Sequence, residues 1–164
     1  MKKLTYAASF MLAIVLVTPT AQAAGPLDAK VPHLTSSGAD PNNPRYPHIG
    51  NIGNYFIRVH VSGRSVKQLT ITAPANVQLS ESITVTDPSG KPINASVTLN
   101  GQKATLAFTQ PVSPDTTLEI DLKNVKTPFA FDPPTWFFSV SSQLSGLNAE
   151  IPLGSARIQP RLSD

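Results

Sequence analysis

Imidazole, carboxylate, hydroxyl and aromatic groups are where chemistry would start in this 164-residue chain, and most of them are scattered. The histidines are His33, His48 and His60. Imidazole is a good ligand for copper and zinc, so the three admit a copper-carrier reading. No two of them stand at i,i+2 or i,i+4, however. The mature chain expected below starts Ala24-Gly25-Pro26, without the third-position histidine of an amino-terminal copper site, and Pro26 lacks the amide N–H such a site deprotonates. Met1 and Met11 fall within the expected leader, so no thioether remains. The plainer reading is surface histidines, with no metal and no cofactor.

The acids Asp115, Glu119, Asp121 and Asp132 fall in one stretch. Glu119 and Asp121 share one face of an extended segment, and such a pair can move protons or hold calcium. Lys123 continues the same face, which reads better as a solvated charged surface. No G-x-S-x-G, S-x-x-K or H-E-x-x-H pattern occurs, and no residue stands out as a nucleophile. No catalytic residue is assigned, and the chain is not expected to be an enzyme. With no cysteine, disulfides, thiol catalysis and thiolate metal sites are excluded.

The densest feature is aromatic. Between Thr127 and Phe138 lie four of the seven phenylalanines, Phe129, Phe131, Phe137 and Phe138, with the single tryptophan, Trp136. Rings exposed near a loop suit sugars and partner proteins, because they offer large contact area at little entropic cost. Phe129, Phe131, Trp136 and Phe137 form the candidate binding patch, with Tyr46 and Tyr55 as candidate neighbours. The competing account places Trp136 or Phe138 in the core and uses Phe129 and Phe131 to plug its open end.

The elements that would position these groups read as extended. Tyr55, Ile57, Val59 and Val61 alternate with Phe56, Arg58 and His60. The same two-residue rhythm recurs at Leu69/Ile71, Ile83/Val85, Ile93–Leu99, Ala104–Phe108, Leu118–Leu122, Phe138/Val140 and Ala156/Ile158. Successive strand side chains point to opposite faces, so each segment presents one apolar and one polar face. Asn100-Gly101 predicts a hairpin with a type I′ turn, and Asp87-Pro88-Ser89-Gly90 predicts a type I turn followed by a bulge. No stretch shows a capped 3.6-residue period. The expected fold is all-β, an immunoglobulin-like β-sandwich of about seven antiparallel strands over residues 55–160, with a closed barrel as the alternative.

Residues 24–54 contain five prolines and read as a Pro/Gly-rich arm or linker, and 161–164 as a tail. Residues 1–23 read as a signal peptide. Lys2 and Lys3 precede an uncharged apolar run from Leu4 to Val17, and Ala21-Gln22-Ala23 supplies the small residues of a cleavage site after Ala23. The run is shorter than the ~20 residues a membrane-spanning helix needs. Removing Lys2 and Lys3 from thirteen basic residues leaves eleven against ten acidic ones, which gives no electrostatic footprint for nucleic acid.

The ordering of Tyr55-Phe56-Ile57, Val66-Lys67-Gln68-Leu69-Thr70-Ile71, Trp136-Phe137-Phe138-Ser139-Val140 and Pro152-Leu153-Gly154-Ser155-Ala156-Arg157-Ile158 resembles a family of small exported bacterial proteins, frequent in cyanobacteria and known as a domain of unknown function. The resemblance covers roughly residues 45–160. Residues 77–125 also resemble bacterial immunoglobulin-like modules, through Ile83-Thr84-Val85-Thr86-Asp87-Pro88-Ser89-Gly90-Lys91-Pro92. Neither resemblance brings functional residues with it. The expectation is an exported, non-enzymatic interaction or structural module of the periplasm or cell envelope, facing an envelope protein or a glycan.

Overall fold

The computed structural model describes residues 31–39, 52–128 and 135–159. Among them the chain forms nine strands and no helix: β1 (His33–Ala39), β2 (Ile52–His60), β3 (Val66–Thr72), β4 (Ile83–Thr86), β5 (Ala95–Asn100), β6 (Lys103–Val112), β7 (Thr117–Lys126), β8 (Trp136–Leu144) and β9 (Glu150–Ile158). Two antiparallel sheets result, one ordered β1-β2-β7-β4 and the other β5-β6-β3-β8-β9. This is a sandwich of the immunoglobulin-like kind, not a closed barrel.

The alternation sets which side of each strand is dry. Ile57, Val59, Ile83, Val85, Leu118, Ile120 and Leu122 face inward from the first sheet. Leu69, Ile71, Ala104, Leu106, Phe138, Val140, Ala156 and Ile158 meet them from the second. Each large aliphatic or aromatic side chain buried in this way contributes ~1.5–3 kcal/mol relative to its exposed state. One flank of the sandwich is closed by β1 lying against β9. There the Ser37 hydroxyl donates to the Arg157 carbonyl at 2.7 Å, and Leu34 lies over Gly154.

Two expectations need correction. Residues 24–54 are not wholly an arm, because β1 and the start of β2 lie within them. Strand β1 falls between Pro32 and Pro41 and runs at the edge of its sheet, where only one side of the backbone must supply ladder hydrogen bonds. The same reason lets Pro152 sit inside β9, the edge of the other sheet. The β5–β6 hairpin, in turn, is shifted by one residue. Asn100 pairs with Lys103, so Gly101 and Gln102 form the loop; Gly101 alone takes positive φ (59°), the pattern of a type II′ turn, which needs glycine only at the first central position. Gln102 secures it, its side-chain amide donating to the Pro74 carbonyl at 3.2 Å.

The Asp87 turn forms as expected. The Asp87 carboxylate accepts from the Ser89 amide (2.9 Å), the Ser89 hydroxyl (2.6 Å) and the Lys91 amide (3.0 Å), and Gly90 takes φ 82°. The expected leader (1–23), most of the arm, the tail (161–164) and the aromatic residues Phe129 and Phe131 lie outside the described residues. Among the described residues no helix is long and apolar enough to cross a membrane.

Candidate functional site

Trp136 and Phe137 are consecutive residues of β8 and so point to opposite faces. Trp136 is partly buried and packs against the core, whereas Phe137 is 55% exposed on the outer face. The two therefore do not form one aromatic platform. Tyr55 lies in the core; burial pushes its hydroxyl above the usual tyrosine range, and a hydrogen bond with Thr127 pulls the other way.

The outer face of the five-stranded sheet collects polar side chains into rows that cross the strands. One row runs Asn100, Lys103, Thr72, Ser139, Ser155; the next runs Thr98, Thr105, Thr70, Ser141; the third runs Ser96, Ala107, Gln68, Gln143, Glu150. With strands ~4.8 Å apart, five of them span roughly 19 Å. Phe137, register partner of Arg157, stands at one end. Proximity in sequence does not indicate this surface, because neighbours such as β3 and β8 are far apart in the chain.

Glu150 organises the middle of the face. Its carboxylate accepts from the Ser141 hydroxyl (2.9 Å), the Thr70 hydroxyl (3.0 Å) and, more distantly, the Gln68 amide (3.5 Å), and the Lys103 ammonium lies 3.6 Å away. This is why Thr70, though outward-facing, is only 2% exposed. The Ser141 hydrogen bond holds the Glu150 carboxyl below its usual value of 4.5, helped by Thr70 and Lys103 and opposed by partial burial. A carboxyl depressed in the folded chain stabilises the fold above the unfolded-state value, and that contribution is lost as pH falls through the folded value. Titrating the urea midpoint from neutral pH to about 3 is therefore expected to cost the wild type more than Glu150→Gln. The difference is small, because water screens a carboxylate this exposed. Equal losses would dismiss the assignment.

The acidic stretch resolves into partners on the other sheet. Glu119 pairs with Arg58 at 2.5 Å, whose guanidinium also lies 5.0 Å from the centre of the Phe56 ring. Asp121 accepts from the Thr84 hydroxyl at 3.4 Å. Asp115 occupies a turn with φ 62°, and Asp132 lies outside the described residues. A groove of about 570 Å³ lies between the Asp87–Asn94 connection and the Thr109–Ser113 end of β6, at the other end of the sheet from Phe137. Its charged lining consists of Asp87 and Lys91.

The model of the family described as "Protein of unknown function (DUF2808)" matches residues 31–159. The chain belongs to this family. The match begins at Val31, just before β1, which places the edge strand within the DUF2808 unit. No curated protein matches the chain. Similar solved structures include a DUF4466 family protein from Parabacteroides merdae, 19% identical with a TM-score of 0.43 over 78% of this chain and 45% of that one. BcpA, the major pilin subunit of Bacillus cereus, is 13% identical with a TM-score of 0.50 over 79% of this chain and 40% of the pilin. The collagen-binding subdomain of the Enterococcus faecalis surface protein ACE is 12% identical with a TM-score of 0.47, over 77% of this chain and 95% of that one. This DUF2808 chain thus spans under half of the first two proteins. The likeness to the pilin shows a shared β-sandwich fold.

Proposed function

We propose that this DUF2808 protein is an exported envelope module that works by binding, and that the outer face of β5-β6-β3-β8-β9 is the surface it presents. The observation that carries this reading is the three largely polar rows across the sheet, two of them spanning all five strands and one spanning four, with Ala107 their single apolar member. A broad, hydroxyl-rich face with few charges suits an extended partner that hydrogen-bonds along its length, such as an envelope protein or a polyhydroxylated glycan. Glu150 fits binding better than catalysis, since hydroxyl donors hold it as an acceptor and leave it a poor proton donor. The leader pattern of residues 1–23 supports export, and the sandwich resembles domains of surface proteins.

The test follows the native chain in fractionated cells. Mass measurement is expected to find Ala24 as the amino terminus and the chain associated with the envelope. Replacing Thr98, Thr105 and Ser139 together by lysine is expected to release at least tenfold more protein into the soluble fraction with an unchanged thermal midpoint. Undiminished association of that variant, or an intact chain in the cytosol, refutes the reading. Phe137 supports the glycan version specifically: an exposed ring beside Arg157 can stack on a sugar. Phe137→Ala should then weaken retention on purified envelope polysaccharide and leave protein cross-links intact.

A further inference from the structure

We propose that His33 and His60 form a binding site for a divalent transition-metal ion, which clips the edge strand β1 to β2. The two residues are register partners across β1 and β2, on the sheet opposite the polar rows described above. Their ring centroids stand 5.4 Å apart with the planes inclined at 58°. Two imidazoles sharing one ion through metal–nitrogen bonds of about 2.0–2.1 Å at a near-tetrahedral angle place their centroids roughly 5 Å apart. The observed centroid separation of 5.4 Å matches that value.

The second nitrogen of each ring is already engaged. His33 Nδ1 lies 3.3 Å from the Val31 carbonyl oxygen, which can only accept, so this contact places the proton on Nδ1 and the lone pair on Nε2. His60 Nδ1 lies 3.1 Å from the Thr117 hydroxyl, which steadies the ring from β7. Thr117 is itself the register partner of His60, so ligand, ligand and support lie in one row over β1, β2 and β7. Ligating histidines commonly have their other nitrogen tied in this way, which fixes tautomer and ring orientation. The nearest cation on the same face of β2, Arg58, is paired with Glu119.

Imidazole donors select zinc, copper or nickel over calcium or magnesium. Among the described residues no group of three or more His, Cys, Asp or Glu side chains is placed to hold a metal, so two protein ligands and solvent define a site of modest affinity. Its effect is mechanical. Residues 33 and 60 are far apart in sequence, and an ion bound to both closes the intervening chain and stabilises the folded state that presents them.

The full chain, carrying no added histidines, is titrated with Zn2+, Cu2+ and Ca2+ while the thermal midpoint and amide hydrogen exchange in β1 are followed. One Zn2+ or Cu2+ per chain is expected to raise the midpoint saturably and slow exchange in β1, with no response to Ca2+. His33→Gln and His60→Gln should each weaken binding at least tenfold and remove the protection of β1, with metal-free midpoints unchanged. His48→Gln should leave both readouts intact. Absence of a midpoint change at about hundredfold excess of Zn2+ and Cu2+ overturns the proposal. So does binding lost in His48→Gln and kept in His33→Gln.

Discussion

Phe138→Ala is expected to lower the stability of the domain by about 3–5 kcal/mol, enough to remove much of the margin of a single domain. Phe138 is fully buried on the inward side of β8, and its register partner on β9 is Ala156. On the β3 side the register runs from Ile71↔Val140 to Thr72↔Ser139, and the next residue is the buried Ala73. A large ring thus fills space that small neighbours leave open, and neither alanine can expand to fill the cavity. The loss belongs at the upper end of the range because cost grows with the cavity that remains. The adjacent variant is the control. Phe137→Ala, on the exposed face of the same strand, should stay within about 0.5 kcal/mol of wild type. The measurement is the urea midpoint of each variant at constant denaturant slope. Because a one-residue slip of β8 exchanges its two faces, a reversed order of the two losses would refute the register as well as the packing.

The same alternation explains how much of the fold is legible in the amino-acid sequence. Strands β2, β3, β4, β6 and β7 each have one dry and one wet face, so their apolar residues recur at every second position and expose the pattern. Strand β1 does not, since its sequence His33-Leu34-Thr35-Ser36-Ser37-Gly38-Ala39 holds a single large apolar residue. It becomes a strand through the ladder with β2 and contact with β9, and local sequence carries neither. The hairpin shift has a similar origin. Asn100-Gly101 and Gly101-Gln102 are both workable loops, and the pairing of inward Leu99 with Ala104 decides between them.

The candidate surface was less legible, for two different reasons. Grouping Trp136 with Phe137 by proximity overlooks the period of the strand they occupy, and that period was available from Phe138 and Val140. The polar rows were out of reach, because they depend on a strand order in which β3 lies between β6 and β8. Glu150 contacts Thr70 eighty residues away, and nothing near either residue announces the other. Ser142 is a further case. It faces inward at 1% exposure opposite Leu69, with no hydrogen-bond partner for its hydroxyl among the described residues. A serine in an otherwise apolar row gives no signal in advance of which way it points.

Gly154→Ala is expected to destabilise the domain by about 1–3 kcal/mol through backbone strain. Between Val140↔Gly154 and Ser141↔Pro152 the register of β8 and β9 slips by one residue, leaving Leu153 as the extra residue of a bulge. Gly154 meets this bend with φ 120°, a region that side-chain-bearing residues rarely enter. Space is not the obstacle. A Cβ built on Gly154 would find Leu34 Cδ1 at 3.7 Å, an ordinary contact. The two sources of cost separate in a double-mutant cycle. If strain governs, Leu34→Ala adds its own loss to that of Gly154→Ala, with coupling within about 0.5 kcal/mol. If crowding against β1 governs, removing the leucine relieves the glycine variant, and the cycle shows a rescue of 1 kcal/mol or more. Additivity would establish that the bulge constrains position 154 through its own backbone, independently of the edge strand packed over it.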